Sequence, residues 1–246
     1  MRVLVVGGTG YIGSHMVKLL AAEGMRVTVF DNLSSGHREA VGDAELVEGD
    51  RADRTSLTTL FRQRRFSAVM HFASSIQVGE SIPEPAEYYR NSVSNILNVL
   101  DAMVAAGVRH CIFSSSAAIF GEPERVPITE EHPKAPTNPY GRTKWFVEQI
   151  LEDYERAYGL QSICLRYFNA AGADRGGALD ERHDPETHLI PLVLRAAAGR
   201  RPSVSPARLV ADSTRIQAAL GWKPRYPHLK SIVRHAWQRE SRQAGD

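Results

Sequence analysis

The sequence predicts an α/β protein built on a doubly wound parallel sheet, with a smaller and incomplete C-terminal portion. Three observations predict it. Short β-branched runs alternate with longer segments of helical periodicity from the first residues onward, the pattern of βαβ units whose sheet is covered on both faces. The glycine-rich stretch Gly7-Gly8-Thr9-Gly10-Tyr11-Ile12-Gly13 falls between the first such run and the first helical segment. The regular alternation fades after Tyr167. Because βαβ crossovers are right-handed, the order of elements also sets the winding. In domain terms, residues 1–168 form the sheet-bearing half and residues 169–246 the remainder.

Each element has its own signal. Residues 3–6 (VLVV) form the first strand. Residues 11–23 form a helix with Ile12, Met16, Leu19 and Leu20 on one stripe, and Gly24 suits its C′ position. Strands two to four are expected at 27–30, 45–47 and 68–72, and a long helix at 85–106 ends before Gly107. The fifth strand spans 108–114. Pro139 serves as the first residue of a helix over 139–158 that Gly159 stops, and the sixth strand spans 161–166. Beyond it, 172–184 reads as a Gly- and Asp-rich loop, and 189–198, 213–220 and 229–242 read as helices.

Composition narrows the function classes. The 246 residues carry a net charge of +2, with acids and bases interspersed, which argues against nucleic acid or an anionic membrane as partner. Cys111 and Cys164 are the two cysteines, each in a short apolar run expected to be buried. No metal-ligand spacing or disulfide framework is present, so a reducing, cytoplasmic compartment is expected. No apolar stretch approaches the roughly 18 residues that a membrane helix needs.

The glycine stretch has the chemistry of a phosphate loop. Glycine lets the backbone approach a pyrophosphate, helix N-terminal amides meet its charge, and Gly13 lets helix and strand pack closely. Asp31 closes the second strand 18 residues beyond Gly13, where a carboxylate can accept both hydroxyls of an adenosine ribose and would repel a 2′-phosphate. NAD is therefore expected rather than NADP. The alternative is a tight turn followed by a surface aspartate. Asp50 suits an adenine amino group or, equally, the N-cap of a segment beginning near Asp53. His71, at the end of the fourth strand, reads as a core histidine rather than a catalyst.

Tyr140 and Lys144 stand four apart at the start of a helix and share a face. A free phenol has a pKa near 10. A nearby ammonium and an oxidised nicotinamide would both favour the phenolate, which could then take a hydroxyl proton while hydride leaves the same carbon. The pattern alone is common on surface helices. Here it accompanies a dinucleotide loop and the run Ser114-Ser115-Ser116 at the same sheet edge.

The motifs GGTGYIG, FDNLSSGHREA, HFASSIQVGES, FSSSAAIFG, NPYGRTK, LRYFNAAGA and HLIPLVL occur in this order. Together they resemble the UDP-glucose 4-epimerases of the extended short-chain dehydrogenase/reductase superfamily, over residues 1–201 and again at RLVADSTR and LGWKPRY. The resemblance implies a Rossmann fold with a C-terminal substrate-binding domain. It makes Tyr140 the base, Lys144 its partner and a ligand of the nicotinamide ribose, and Ser116 a hydrogen-bond partner of the reacting sugar oxygen. It assigns the pyrophosphate to Gly7, Gly10, Tyr11, Ile12 and Gly13, the adenosine ribose to Asp31 and Asn32, and the adenine to Asp50 and Arg51. Phe72, Ala73, Ser74 and Asn91 would hold the inner cofactor. Tyr167 and Phe168 would flank the nicotinamide, and Asn169 would meet the uridine diphosphate, as would His188 and Leu189 where some members carry asparagine for His188. The implied reaction moves a hydride from sugar C4 to NAD, turns the 4-keto sugar over, and returns the hydride to the other face. A homodimer built from helices 85–106 and 139–158 is also implied.

The pattern departs from the family after Gly199-Arg200-Arg201-Pro202. Residues 203–207 lead almost directly into Arg208-Leu209-Val210-Ala211-Asp212, which resembles a much later part of the family. A middle portion of the substrate domain is missing, by excision or because a segment between these residues was lost from the sequence. UDP-glucuronate and UDP-N-acetylhexosamine epimerases stay open, because their discriminating residues fall largely in that portion. A nucleotide-sugar 4,6-dehydratase is disfavoured by Ala117 and Ala118, where dehydratases carry carboxylates. A non-catalytic NAD-binding module is the alternative of a different class.

Overall fold

The computed structural model describes the chain except residues 180, 182–189, 191, 195–211 and 244–246, and gives 239–243 as backbone only. The chain divides into two compact units, Met1–Glu122 with Pro133–Tyr167, and Pro123–His132 with Phe168–Asp246.

In the first unit six parallel strands form one sheet in the order β3-β2-β1-β4-β5-β6. They are β1 (Arg2–Val6), β2 (Arg26–Asp31), β3 (Glu45–Glu48), β4 (Ala68–His71), β5 (His110–Ser114) and β6 (Gln161–Leu165). The order reverses direction between β1 and β4, the switch point where open α/β sheets bind ligands at their carboxyl edge. Alternation along the strands divides the core. Leu4, Val6, Phe30, Val69 and Phe113 face one layer with Leu57, Leu100 and Leu151. Val3, Val5, Val29 and Met70 face the other with Val17 and Leu20. Each such side chain, fully buried, contributes about 1.5–3 kcal/mol.

Helix α1 (Tyr11–Ala22) buries Gly13, Ser14, Val17 and Leu20. Leu19 is 41% exposed, so the expected stripe is rotated: Gly13 must meet the loop, and that turns Leu19 outward. Helix α2 (Arg54–Gln63), expected only as the alternative segment beginning near Asp53, is capped by Asp53, whose carboxylate accepts from the amides of Thr55 and Ser56. The N-cap is thus Asp53 and not Asp50. The expected helix at 85–106 comprises α3 (Pro85–Tyr89), a π-helical turn (Arg90–Ser94) and α4 (Asn95–Ala105). Helix α5 (Pro139–Tyr158) begins at an Asn138 cap and ends at Gly159 in the left-handed conformation. Cys111 is buried and Cys164 only partly so.

In the second unit are α6 (Thr214–Leu220) and α7 (Leu229–Gln243). The Asp212 amide donates to the Ile128 carbonyl at 3.0 Å, and Arg215 pairs with Glu131 at 3.7 Å. The helix expected at 189–198 lies largely outside the described residues. Among the described residues no helix is long and apolar enough to cross a membrane, and no group of three or more His, Cys, Asp or Glu could hold a metal ion.

Candidate active site

The glycines of the loop divide by geometry. A Cβ on Gly7, whose φ is +81°, would lie 2.4 Å from the Ala73 amide nitrogen, and one on Gly13 would lie 2.1 Å from the Gly7 carbonyl oxygen. Both positions therefore require glycine for close backbone packing. A Cβ on Gly10 would meet only the Gly7 oxygen, at 3.6 Å, leaving open space in front of α1. No side chain caps α1 and no acid occupies its first turn, so its N-terminal end carries the partial positive charge that attracts an anion. This cradle fits the pyrophosphate of a dinucleotide.

The neighbouring carboxylates are already oriented. Asp31 accepts from the Thr9 amide at 3.1 Å and from the Leu33 amide at 2.9 Å, pinning the loop and the turn in which Leu33 adopts φ +58°. Asp50 accepts from the Ala52 amide at 2.7 Å and from Asn32 Nδ2 at 2.9 Å. These bonds, the Ala52 amide foremost, hold its carboxyl below the usual range. Two residues assigned to ribose and adenine are thereby joined.

Arg51 is turned inward. It donates from Nη1 to the Asn91 carbonyl at 3.0 Å and from Nη2 to Asn91 Oδ1 at 2.6 Å. Asn91, in the π-helical turn, passes the contact on from Nδ2 to Ser75 Oγ at 2.7 Å. Burial pushes the Arg51 guanidinium down to about 10. Phe72 and Ala73 both donate their amides to the Val6 carbonyl, and Ser74 donates to the Ser75 carbonyl at 2.9 Å.

Helix α5 carries the central pair. Asn138 accepts from the Gly141 amide at 2.8 Å, setting the first turn. A Cβ on Gly141 would lie 2.5 Å from the Ala118 carbonyl oxygen, so glycine lets α5 press directly against the turn that Ser116 opens. There the Ser116 hydroxyl stands close enough to the Tyr140 phenol to favour its ionised form, and Ser116 Oγ accepts from the Ala118 amide at 3.1 Å. One turn on, Lys144 is 2% exposed. Its Nζ donates to the Ser114 carbonyl at 2.8 Å and lies 5.6 Å from the centre of the Tyr140 ring. Tyr167 donates to Ser114 Oγ at 2.5 Å, and burial pushes its phenol up to about 12.

The electrostatics differ from the sequence expectation. Burial raises the Tyr140 phenol above its ordinary value, and the Ser116 hydrogen bond only partly offsets this. Burial and the positive charge of Arg51 lower Lys144 to about 7. A desolvated site penalises the charged form of both groups, so these side chains alone do not draw the phenol toward neutrality. His71 is buried with neither ring nitrogen hydrogen-bonded. Burial, then Arg51 and Lys144, drive its pKa well below the ordinary value, so it stays neutral, in keeping with a core histidine.

Four expected site residues are not among the described residues of the first unit. Phe168 and Asn169 begin the stretch assigned to the second unit, and His188 and Leu189 lie outside the described residues. Sequence reasoning missed Glu148 and Arg166. Glu148 is 3% exposed and accepts from Ser115 Oγ at 2.5 Å and from Arg166 Nη2 at 2.6 Å. The available signal was a carboxylate four residues beyond Lys144, on the same helical face.

Strand order, glycine loop and the serine–tyrosine–lysine cluster define a dinucleotide-binding α/β protein of the short-chain dehydrogenase/reductase type. The chain belongs to the NAD dependent epimerase/dehydratase family, which it matches over residues 3–214. It is 52% identical over 200 residues to the UDP-glucose 4-epimerase of Rhizobium meliloti (strain 1021), covering 81% of this chain and 61% of the relative. The crystal structure of Brucella ovis UDP-glucose 4-epimerase in complex with NAD has 52% identity and a TM-score of 0.80, covering 82% of this chain and 62% of that one. The chain thus spans about three fifths of the length of these relatives. The UDP-glucose 4-epimerase of Halalkalibacterium halodurans is 36% identical over 316 aligned positions, covering 96% of this chain and 95% of the relative. Those positions outnumber the 246 residues here, so an internal stretch of that relative has no counterpart in this chain.

Proposed function

We propose that the chain binds NAD and epimerises a UDP-hexose at C4, interconverting UDP-glucose and UDP-galactose through a transient 4-keto sugar. The observation that carries this is the Ser116–Tyr140–Lys144 cluster at the carboxyl edge, with the Lys144 Nζ fixed on the Ser114 carbonyl. Bound NAD would supply a reversible two-electron acceptor beside the sugar carbon. The loop of Gly7, Gly10 and Gly13, with the α1 amides of Tyr11 and Ile12, would hold the pyrophosphate, and Asp31 the adenosine ribose. Tyr140 would take the proton of the 4-hydroxyl, while Ser116 hydrogen-bonds the same oxygen. Lys144 keeps N–H groups for the nicotinamide ribose, and its charge would favour the phenolate.

Residues 1–168 would form the coenzyme half. Residues 169–246 would form the nucleotide-sugar portion, with Phe168, Asn169, His188 and Leu189 toward the substrate. Ala117 and Ala118 offer no acid for dehydration. Helices α3, α4 and α5, where Tyr89 and Phe146 lie 6.1 Å apart and Phe146 is 43% exposed, suit the pairing of two copies. A cytoplasmic location accords with the free cysteines.

The test is incubation of UDP-galactose with the NAD-supplemented chain. UDP-glucose should form, and Tyr140→Phe should cut turnover by about 10²–10⁴-fold with NAD still bound. One observation favours a second reading: the stretch of the 316-position alignment without a counterpart here suits a non-catalytic NAD-binding module. NAD retained without any interconversion would select that reading.

A further inference from the structure

We propose that Glu148 is the positioning residue of this site, its carboxylate fixing the spacing between the ends of β5 and β6 and the first turns of α5. The inference rests on the function proposed above.

The buried carboxylate binds two groups at once. Ser115 Oγ donates to Oε1 at 2.5 Å. Arg166 Nε lies 3.0 Å from Oε1 and 3.1 Å from Oε2, and Nη2 lies 2.6 Å from Oε2. Every anchoring point adjoins a residue of the cluster. Ser115 separates Ser114, which holds Lys144 and Tyr167, from Ser116, which meets Tyr140. Arg166 precedes Tyr167, and Glu148 follows Lys144 by one helical turn. The guanidinium also covers the ring of Phe120 at 5.7 Å, at the far end of the turn that Ser116 opens.

The chemistry favours position over bulk stability. A buried ion pair costs desolvation that apolar residues of equal volume avoid, so replacement by such residues is often neutral or stabilising. What an apolar pair cannot do is hold three backbone segments at fixed distances through directional bonds. The bonds of Glu148 go to Ser115 and Arg166, so it acts through where the partners of Tyr140 and Lys144 stand.

The experiment uses the full chain with Glu148→Ala, Glu148→Gln and Ser115→Ala. Thermal stability should fall in Glu148→Ala on any reading, so two other quantities decide. The first is kcat for UDP-galactose per NAD-loaded site, expected to fall about tenfold or more in Glu148→Ala, because small displacements of reacting groups are costly. Glu148→Gln can still accept from Arg166 and donate to Ser115, and should recover most of the loss without recovering stability. The second is the Tyr140 titration, read as phenolate absorbance of each protein minus that of its Tyr140→Phe counterpart. Loss of the Ser116 contact should raise it by about half a pKa unit or more.

Should Glu148→Ala fail to fold, Ser115→Ala carries the same titration expectation. Should the wild type not turn over UDP-galactose, the function proposed above fails, and the titration still tests Glu148. An unshifted Tyr140 titration in the folded variants, with unchanged kcat per loaded site where turnover exists, would overturn the proposal.

Discussion

Lys144 and His71 are buried bases that resist protonation, and each marks a different pH window. Lys144 has a folded pKa of about 7 against an ordinary value of 10.5. Between these the unfolded chain holds a proton that the folded chain has released, so stability climbs as pH rises, by up to about 1.4 kcal/mol per pH unit. The climb ends above the unfolded pKa, and below the folded one Lys144 adds no slope. His71 stays neutral in the fold, so as pH falls through its ordinary value of 6.5 the unfolded chain gains a proton and stability drops. Denaturant unfolding of NAD-free protein from pH 5.5 to 9 should show both slopes. Lys144→Met should remove the upper one and His71→Leu the lower. A wild-type curve that is flat between pH 7 and 9 would refute the burial of Lys144. Tyr140 and Lys144 were legible because their spacing is local. Glu148 was not, because its partners lie 33 and 18 positions away and only the sheet brings them together.

At the scale of elements, what the sequence revealed depended on how much of a signal was local. Strands β1, β2 and β4 show as apolar runs, and the glycine loop shows as a motif between strand and helix. Helix α2 showed only as the segment that an N-cap near Asp53 would open, since within RTSLTTLFRQ only Leu57, Leu60 and Phe61 are buried and five polar or charged residues precede or separate them. The π-helical turn at Arg90–Ser94 was hidden, because one wider turn barely disturbs a helical pattern, yet it is where Asn91 meets Arg51. The glycine loop gives the sharpest test of element and ligand together. Gly13→Ala places a methyl 2.1 Å from a backbone oxygen, so α1 or the loop must shift, and a large loss of stability is expected. Gly10→Ala makes only an ordinary contact at 3.6 Å, so the chain should fold with near wild-type stability. That methyl would stand where the pyrophosphate approaches, and NAD affinity should fall about tenfold or more. Calorimetric titration of NAD alongside thermal unfolding separates the effects. Unchanged NAD affinity in Gly10→Ala would remove the loop from the coenzyme site.

For the whole molecule, the sequence expectation of one boundary at residue 168 meets two compact units that interleave. Residues Pro123–His132 group with the later part of the chain, joined to it by the bond from the Asp212 amide to the Ile128 carbonyl. Such an excursion has no periodic signature, since it is defined by partners some 80 residues away. The first unit holds all six strands and both core clusters, which is what independent stability requires. The second offers less, since α6 buries none of its residues and Leu220, Trp222 and Leu229 are 66%, 45% and 65% exposed. Stability is therefore expected to be unequal between the units. Arg175 is exposed in the stretch that follows β6, in the less buried second unit. Limited trypsin digestion of the NAD-loaded chain should cut there early and leave a fragment of residues 1–175 that still carries NAD. Native mass spectrometry would detect it. Digestion that consumes the first unit as fast as the second, or a fragment that has lost its NAD, would show that the coenzyme half does not stand on its own core.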